Sequence, residues 1–82
     1  MSGSTRFSRL RWLSRRGMKE LDVLFEAFLE KHQQALAGGA FPDLESFLAN
    51  EDDQLWDWLQ LSRTPPRDEW AELVAQMRRE FV

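Results

Sequence analysis

The chain has 82 residues, 43% of them hydrophobic and 12% aromatic, with no cysteine and a formal net charge of −3. This length allows one domain with one small core, because such a chain buries only about 60% of the surface that it exposes when unfolded. The apolar content argues against a disordered chain. The lack of cysteine excludes disulfides, thiolate nucleophiles and zinc–thiolate sites, and no apolar run approaches the ~20 residues that cross a bilayer.

Apolar residues recur at helical spacing, whereas no segment alternates as a strand would. The first predicted helix carries Phe7, Leu10 and Leu13. It is expected to end near Arg16, because Gly17 follows and glycine commonly ends helices. The first five residues are predicted to be a flexible N-terminus.

The second predicted helix has the clearest apolar stripe, at the i, i+3, i+4 spacing of one buried face. Glu20 and Asp22 lie in its first turn, where the helix dipole favours carboxylates. Gly38 and Gly39 are expected to stop it. His32 belongs to the stripe and is therefore predicted at the edge of the core. The stripe consists of Leu21, Leu24, Phe25, Phe28, Leu29, His32 and Leu36.

Three more helices are predicted towards the C-terminus. Pro42 suits the first turn of the third helix, and Asp52 can cap the fourth. Thr64 and the two prolines after it are expected to begin the fifth. Of the two tryptophans on the fourth helix, one is predicted inside and the other at the rim. The apolar residues of these helices are Leu44, Phe47, Leu48, Leu55, Trp56, Trp58, Leu59, Trp70, Leu73, Val74, Met77 and Phe81. The predicted fold class is all-α: a small compact bundle of about five helices, forming one domain over residues 6–82.

The side chains that catalysis and metal binding require are scarce. His32 is the only histidine, whereas nucleophilic catalysis usually needs a histidine base beside the nucleophile. The acidic run from Glu51 to Asp53 lacks the EF-hand pattern and is more typical of a helix start. The sequence contains no glycine-rich phosphate loop. It therefore predicts no enzyme, no metal site and no stably bound cofactor.

Charge is unevenly distributed along the chain. The first 19 residues contain six basic residues and no acid, whereas the remainder contains five basic residues and all 14 acids. This asymmetry indicates either an acidic or nucleic-acid partner for the N-terminal end, or neutralisation of the two ends within the fold. A small DNA-binding regulator is disfavoured, because the pI is about 5.1 and Asp68, Glu69 and Glu72 open the last helix. No nucleic-acid partner is predicted.

The segment between the first two predicted helices, residues 15–22, reads RRGMKELD. Gly17 can adopt a turn that a side chain resists, which brings Arg16 and Glu20 to one exposed corner. The simplest structural interpretation is a glycine turn with a surface Arg–Glu pair worth about 0–1 kcal/mol.

Together with Arg11 and Trp12, this segment resembles the first block of the RGxxE family of succinate dehydrogenase FAD assembly factors. The sequence EDDQLWDWL at residues 51–59 resembles the second block of that family. Members often carry proline where this chain has Asp53, and a carboxylate serves a first turn equally well. The resemblance covers residues 10–61, with a looser match in the last helix.

Because the sequence shows neither a secretory signal nor a membrane-spanning run, a cytoplasmic bacterial protein is expected. The resemblance implies that it binds the flavoprotein subunit of succinate dehydrogenase, and often of fumarate reductase. It would promote covalent attachment of FAD to a histidine of that client, so that FAD is the cofactor of the client alone. A monomer without membrane insertion is expected. The family has also been labelled as antitoxins of toxin–antitoxin pairs, which leaves that role as an alternative.

The resemblance also implies a partner-binding site. Arg16, Gly17 and Glu20 are carried over as its main residues, and Gly17 is expected to let the client backbone approach closely. Arg16 and Glu20 would form charge-assisted hydrogen bonds to the client. The neighbouring residues that extend the predicted site are Trp12, Met18, Lys19 and Asp22. Trp12 and Met18 could equally belong to the core.

Overall fold

The computed structural model describes the backbone of residues 2–82 and the side chains of residues 5–82. Within this range the chain forms six helices and no strand, which confirms the predicted all-α bundle. The helices are α1 (Ser2–Ser14), α2 (Lys19–Lys31), α3 (Gln33–Ala37), α4 (Leu44–Leu48), α5 (Asp52–Leu59) and α6 (Asp68–Phe81). Met1, part of the predicted flexible N-terminus, lies outside the described residues. None of the helices in residues 2–82 is both long and apolar enough to span a bilayer.

One core joins all six helices. Helix α1 packs against α2, α3 and α4, while α6 packs against α2, α4 and α5. The rings of Phe25 and Phe47 meet edge to face at 6.4 Å between centroids, and Trp58 lies 6.0 Å from Phe47. Trp58 is buried and Trp56 only partly so, as predicted for two tryptophans on one short helix. The stripe on the second predicted helix is core, apart from partial exposure of Leu24 and His32.

The second predicted helix is divided in two at His32. The backbone leaves helical geometry at this residue (φ −108°, ψ 23°), so α2 and α3 replace one longer helix. The His32 ring packs against Phe28 and Phe41, at 4.6 and 5.1 Å between centroids. Its Nε2 atom lies 2.9 Å from both carboxylate oxygens of Glu80. His32 therefore lies at the core edge, as predicted, and connects α2 to α6.

Three helices begin at other residues than the sequence indicates: α4 and α6 begin later, and α5 begins one residue earlier. Helix α4 starts two residues after Pro42, and α6 starts at Asp68 rather than at the two prolines. The prediction that Pro65 and Pro66 form the first turn of α6 was wrong: Pro65 precedes a proline, which disfavours helical geometry, and Arg67 is the extended N-cap with φ −123° and ψ 138°. The N-cap of α5 is Glu51 rather than Asp52. Asp52 therefore lies inside the first turn, with its carboxylate available to another segment.

An arginine on α1 connects that helix to the segment between α3 and α4. Arg6 donates through Nε and Nη2 to the two carboxylate oxygens of Glu45, at 2.7 and 3.1 Å. Its Nη1 also donates to the carbonyls of Leu36 and Ala40, and its Nη2 to that of Phe41, at 2.6–2.8 Å. Phe41 has a positive φ of 55°, which is unfavourable for a side chain of this size. The Arg6 network, meaning these five residues, thus fixes a strained turn against α1.

We expect the free energy of unfolding to fall as the pH drops below about 4.5, the ordinary pKa of glutamate. The Arg6 hydrogen bonds hold the pKa of Glu45 below this value. Burial acts to raise the pKa of Glu80, but hydrogen bonds from His32 and Gln76 outweigh it, and the net direction is again downward. A carboxyl with a lowered folded-state pKa stabilises the fold above its unfolded pKa, and this contribution is lost as the pH falls through the folded value.

Urea midpoints measured from pH 7 to pH 3 test this, with Glu45→Gln as the comparison. The wild type is expected to lose more stability on acidification than the variant, which has no carboxyl to titrate at this position. Parallel pH profiles for the two proteins would contradict the assignment of this effect to Glu45.

Candidate functional site: an exposed glycine corner between α1 and α2

The connection between α1 and α2, residues 15–18, is a tight turn that we call the Gly17 corner. Gly17 has a φ of +82°, a left-handed conformation that costs side-chain-bearing residues about 1–2 kcal/mol. A Cβ atom built on Gly17 would have no heavy atom within 4 Å. The backbone conformation, rather than crowding inside the protein, therefore selects glycine here, and the space above the corner is open.

Arg16 holds the corner from within. Its side chain is only 14% exposed. The Nη1 atom donates to the carbonyl of Asn50 at 2.9 Å and contacts Asp52 Oδ1 at 3.4 Å. Arg16 therefore pairs across the fold with the start of α5, and the simple Arg16–Glu20 surface pair is not the arrangement formed. Among the described residues, Arg16 Nε is buried without an acceptor.

Two further predicted residues support the corner from α2. The backbone N–H of Arg16 donates to Asp22 Oδ1 at 2.7 Å, which fixes the path of the turn. Met18 is the N-cap residue of α2, and its side chain packs partly buried against the core. Asp22 and Met18 thus position the corner, and Asp22 also lines a depression between α1 and α2.

The other predicted residues lie on the surface. Trp12 is 75% exposed, which resolves the choice between core and surface for this residue. Gly17, Lys19 and Glu20 are exposed as well. Because tryptophan is enriched among the residues that dominate protein–protein contacts, this exposed indole marks a candidate interaction surface.

Three depressions adjoin the corner, and the one between α1 and α2 has Arg15 and Asp22 in its lining. The one on the α1 side is lined by Trp12, Leu13, Arg15, Arg16, Leu48 and Ala49. The one on the α2 side is lined by Lys19, Glu20, Val23, Leu24, Ala27 and Phe81. Val23 is 58% exposed and was not among the predicted site residues. Its position outside the buried stripe of the second predicted helix could have indicated an exposed apolar residue. Asn50 and Asp52 were also missed as partners of Arg16, because hydrogen bonding between distant segments leaves no local pattern.

The charge asymmetry of the chain is only partly neutralised inside the fold. Arg6 pairs with Glu45 and Arg16 with Asp52. The other basic residues of the first 19 are exposed: Arg9, Arg11, Arg15 and Lys19. The surface around the corner therefore combines an indole, several cations and a carboxylate beside open backbone.

These groups define a class of protein. Exposed aromatic and arginine side chains around an accessible backbone are typical of protein–protein contact surfaces. In the described part of the chain no three histidine or acidic side chains are grouped to hold a metal ion. The lone histidine is held by Glu80, away from the corner. The fold and the corner thus define a small helical protein with an exposed candidate surface for contact with another protein.

The chain belongs to the family described as the flavinator of succinate dehydrogenase, whose family model matches residues 8–81. The FAD assembly factor SdhE of Xylella fastidiosa strain Temecula1 is 40% identical over 79 residues, covering 95% of this chain and 80% of that protein. SdhE of Shewanella oneidensis is 38% identical over 71 residues, covering 87% of each chain. SdhE of Coxiella burnetii is 33% identical over 70 residues, covering 85% of each. No solved structure gave a significant match.

The comparisons confirm the family that the sequence resembles. They also agree with the prediction that the chain is not an enzyme, because its relatives are named as assembly factors rather than catalysts. The match runs from the middle of α1 to the end of α6 and therefore includes the whole Gly17 corner.

Proposed function

We propose that this protein binds the flavoprotein subunit of succinate dehydrogenase through the Gly17 corner and promotes covalent attachment of FAD to that subunit. The observation that carries the proposal is the family match over residues 8–81, which includes the exposed Gly17 corner. The flavoprotein subunit of fumarate reductase is proposed as a second client. FAD remains the cofactor of the client, and the protein acts as a monomer in the bacterial cytoplasm without binding nucleic acid.

In this proposal the protein supplies orientation and no reacting group. The client would provide a histidine nitrogen as the nucleophile, and the flavin would provide the ring methyl carbon to which it bonds. One N–H and one C–H bond would be lost, and the two electrons and two protons released would pass into the flavin ring, which becomes reduced. Holding two reactants in an aligned geometry can lower a barrier by roughly 7–11 kcal/mol in the most favourable cases. A partner that fixes the flavin-binding domain in an attachment-competent arrangement therefore needs no catalytic side chain of its own.

The residues of the corner have different parts in the proposed contact. Gly17 lets a client backbone approach closely, because no side chain covers it. Trp12 offers a large apolar surface of the kind that dominates binding energy at interfaces. Lys19 and Glu20 are positioned for charge-assisted hydrogen bonds to the client. Arg16, being largely buried, acts mainly by holding the turn, which revises the expectation that its guanidinium contacts the client directly.

The test is a flavinylation assay with the purified apo flavoprotein subunit and free FAD. Flavin fluorescence in the client band after denaturing electrophoresis reports covalent attachment. We expect attachment to be faster with the protein present than without it. Equal rates in the presence and absence of the protein, with clients of either enzyme, would overturn the proposal. A pull-down in the same buffer shows separately whether the two proteins associate.

A further inference from the structure

The C-terminal end of α5 has a leucine where glycine is usual. The N–H of Leu61 donates to the carbonyl of Trp58 at 3.1 Å, and that of Ser62 donates to Asp57 at 2.9 Å. This pair of bonds is the Schellman arrangement, whose left-handed position is commonly glycine. Leu61 occupies that position with a φ of +64°. Leucine in this conformation carries a steric cost that glycine would avoid.

The same chain ends another helix in the usual way. At the end of α3, the N–H of Gly39 donates to Leu36 at 3.1 Å and that of Ala40 donates to Ala35 at 2.9 Å. Gly39 holds the left-handed position with a φ of +100°. The leucine at the matching position of α5 is 65% exposed, so its side chain contributes little to the core. Strain that persists where the fold gains little is a reason to look for a function.

Leu61 lines an open groove between the end of α5 and the face of α6. Pro65 and Val74 contribute further apolar surface to this groove. Its charged lining residues are Arg63, Arg78 and Arg79. The groove is therefore apolar within and basic at its rim.

The charge of the groove is opposite to that of the surrounding chain. From residue 20 onward the chain has 14 acidic and five basic residues, yet three of those five basic residues line the groove and no acid does. The Arg63 side chain is 79% exposed. Its Nε atom makes a loose contact with Asp57 Oδ2, at 4.0 Å. Arg78 donates to the carbonyl of Leu59, and Arg79 to the amide oxygen of Gln76 at 3.0 Å. These two arginines thus keep their charge available to a partner.

We propose that this groove binds an acidic segment of the flavoprotein client, with an apolar side chain of that segment packed against Leu61. The inference rests on the proposed function and adds a second contact to it. Helix α5 connects the two surfaces, since Asp52 in its first turn holds Arg16 and Leu61 follows its last turn. Eight helical residues span about 12 Å. A standard interface of about 800 Å² per partner, roughly 30 Å across, can cover both ends.

Two substitutions at Leu61 separate strain from contact. We expect Leu61→Gly to raise the melting temperature, because it relieves the left-handed leucine, while weakening affinity for the apo flavoprotein subunit about tenfold. Leu61→Ala should weaken affinity to a similar extent without raising the melting temperature, since it keeps a Cβ in the same conformation. Calorimetric titration and thermal unfolding measure the two quantities.

A charge reversal tests the rim. Arg63→Glu should weaken binding about tenfold and reduce its salt dependence. The control is Arg67→Glu. Arg67 lies in the same connection between α5 and α6 but does not line the groove, so this substitution should not weaken binding. If the Leu61 and Arg63 variants bind the client as tightly as the wild type does, the groove proposal is wrong. The proposed function is unaffected by that result.

Other outcomes also decide the matter. If the wild type fails to bind the client at all, both proposals fall. A lower melting temperature for Leu61→Gly would remove the strain that motivates the inference. A further outcome is self-association of the wild type, with Leu61→Gly abolishing the self-association and leaving client affinity unchanged. In that case the groove binds a second copy of the chain, and the groove proposal is wrong.

Discussion

Replacing Gly17 with asparagine is expected to reduce the rate of covalent flavin attachment and the affinity for the client at least tenfold while leaving the fold intact. Asparagine is among the few residues that tolerate the left-handed conformation, which Gly17 adopts with a φ of +82°. Nothing inside the protein lies within 4 Å of a Cβ at this position. The added side chain therefore points into the space where the client would approach, and central contacts of this kind dominate binding.

The matched control is Gly39→Asn. Gly39 is also left-handed, with a φ of +100°, and a Cβ there also has no neighbour within 4 Å. We expect this variant to keep wild-type attachment and affinity, with a melting temperature close to that of Gly17→Asn. The flavinylation assay and a binding titration distinguish the two variants. Wild-type attachment by Gly17→Asn would show that the client does not approach the corner closely.

Replacing Arg6 with leucine is expected to lower the free energy of unfolding by about 3 kcal/mol. The substitution removes all the hydrogen bonds of the Arg6 network and leaves the Glu45 carboxylate and three carbonyls without their donor. Breaking a buried ion pair from one side costs about 3–5 kcal/mol. Since Arg6 and Glu45 remain 21% and 30% exposed, we expect the lower part of that range. The total free energy of unfolding of a small domain is only about 5–15 kcal/mol, so this loss is a large part of it.

Urea unfolding of Arg6→Leu beside Arg11→Leu tests this prediction. Arg11 is an exposed arginine on the same helix, and its replacement should change stability by no more than about 0.5 kcal/mol. Arg6→Lys should recover only part of the loss, because an ammonium group cannot reproduce the planar, multidentate contacts of guanidinium. A loss below 1 kcal/mol in Arg6→Leu would mean that the network contributes little to the fold.

The features that the sequence predicted are those encoded by local spacing. The stripe from Leu21 to Leu36 specifies a buried face without reference to any other segment. Gly17 indicates a turn for the same reason, because the conformation belongs to the residue itself. The fold class and the location of the corner could therefore be predicted. The second predicted helix differs from the structure in one respect, the break at His32 that divides it into α2 and α3.

The remaining features depend on contacts between distant segments. Arg6 looks like any other basic residue near the N-terminus, and its partners lie 30–39 residues further along the chain. The pairing of Arg16 with Asp52 spans 36 residues, so the simpler local pair with Glu20 was the natural interpretation. The left-handed conformation of Leu61 could not be predicted, because glycine is the residue that usually indicates this conformation at the end of a helix.

The long-range ties of Arg16 also constrain when the corner is complete during synthesis. The turn itself can form once α1 and α2 have left the ribosome, because Asp22 lies on α2. Its connection to Asn50 and Asp52 must wait for residues 34–36 positions further along. Counted from the synthesis of Arg16 itself, this delay is roughly 2–7 s at about 5–20 residues per second. The nascent chain would therefore present an incomplete corner to its client until most of the domain has been made.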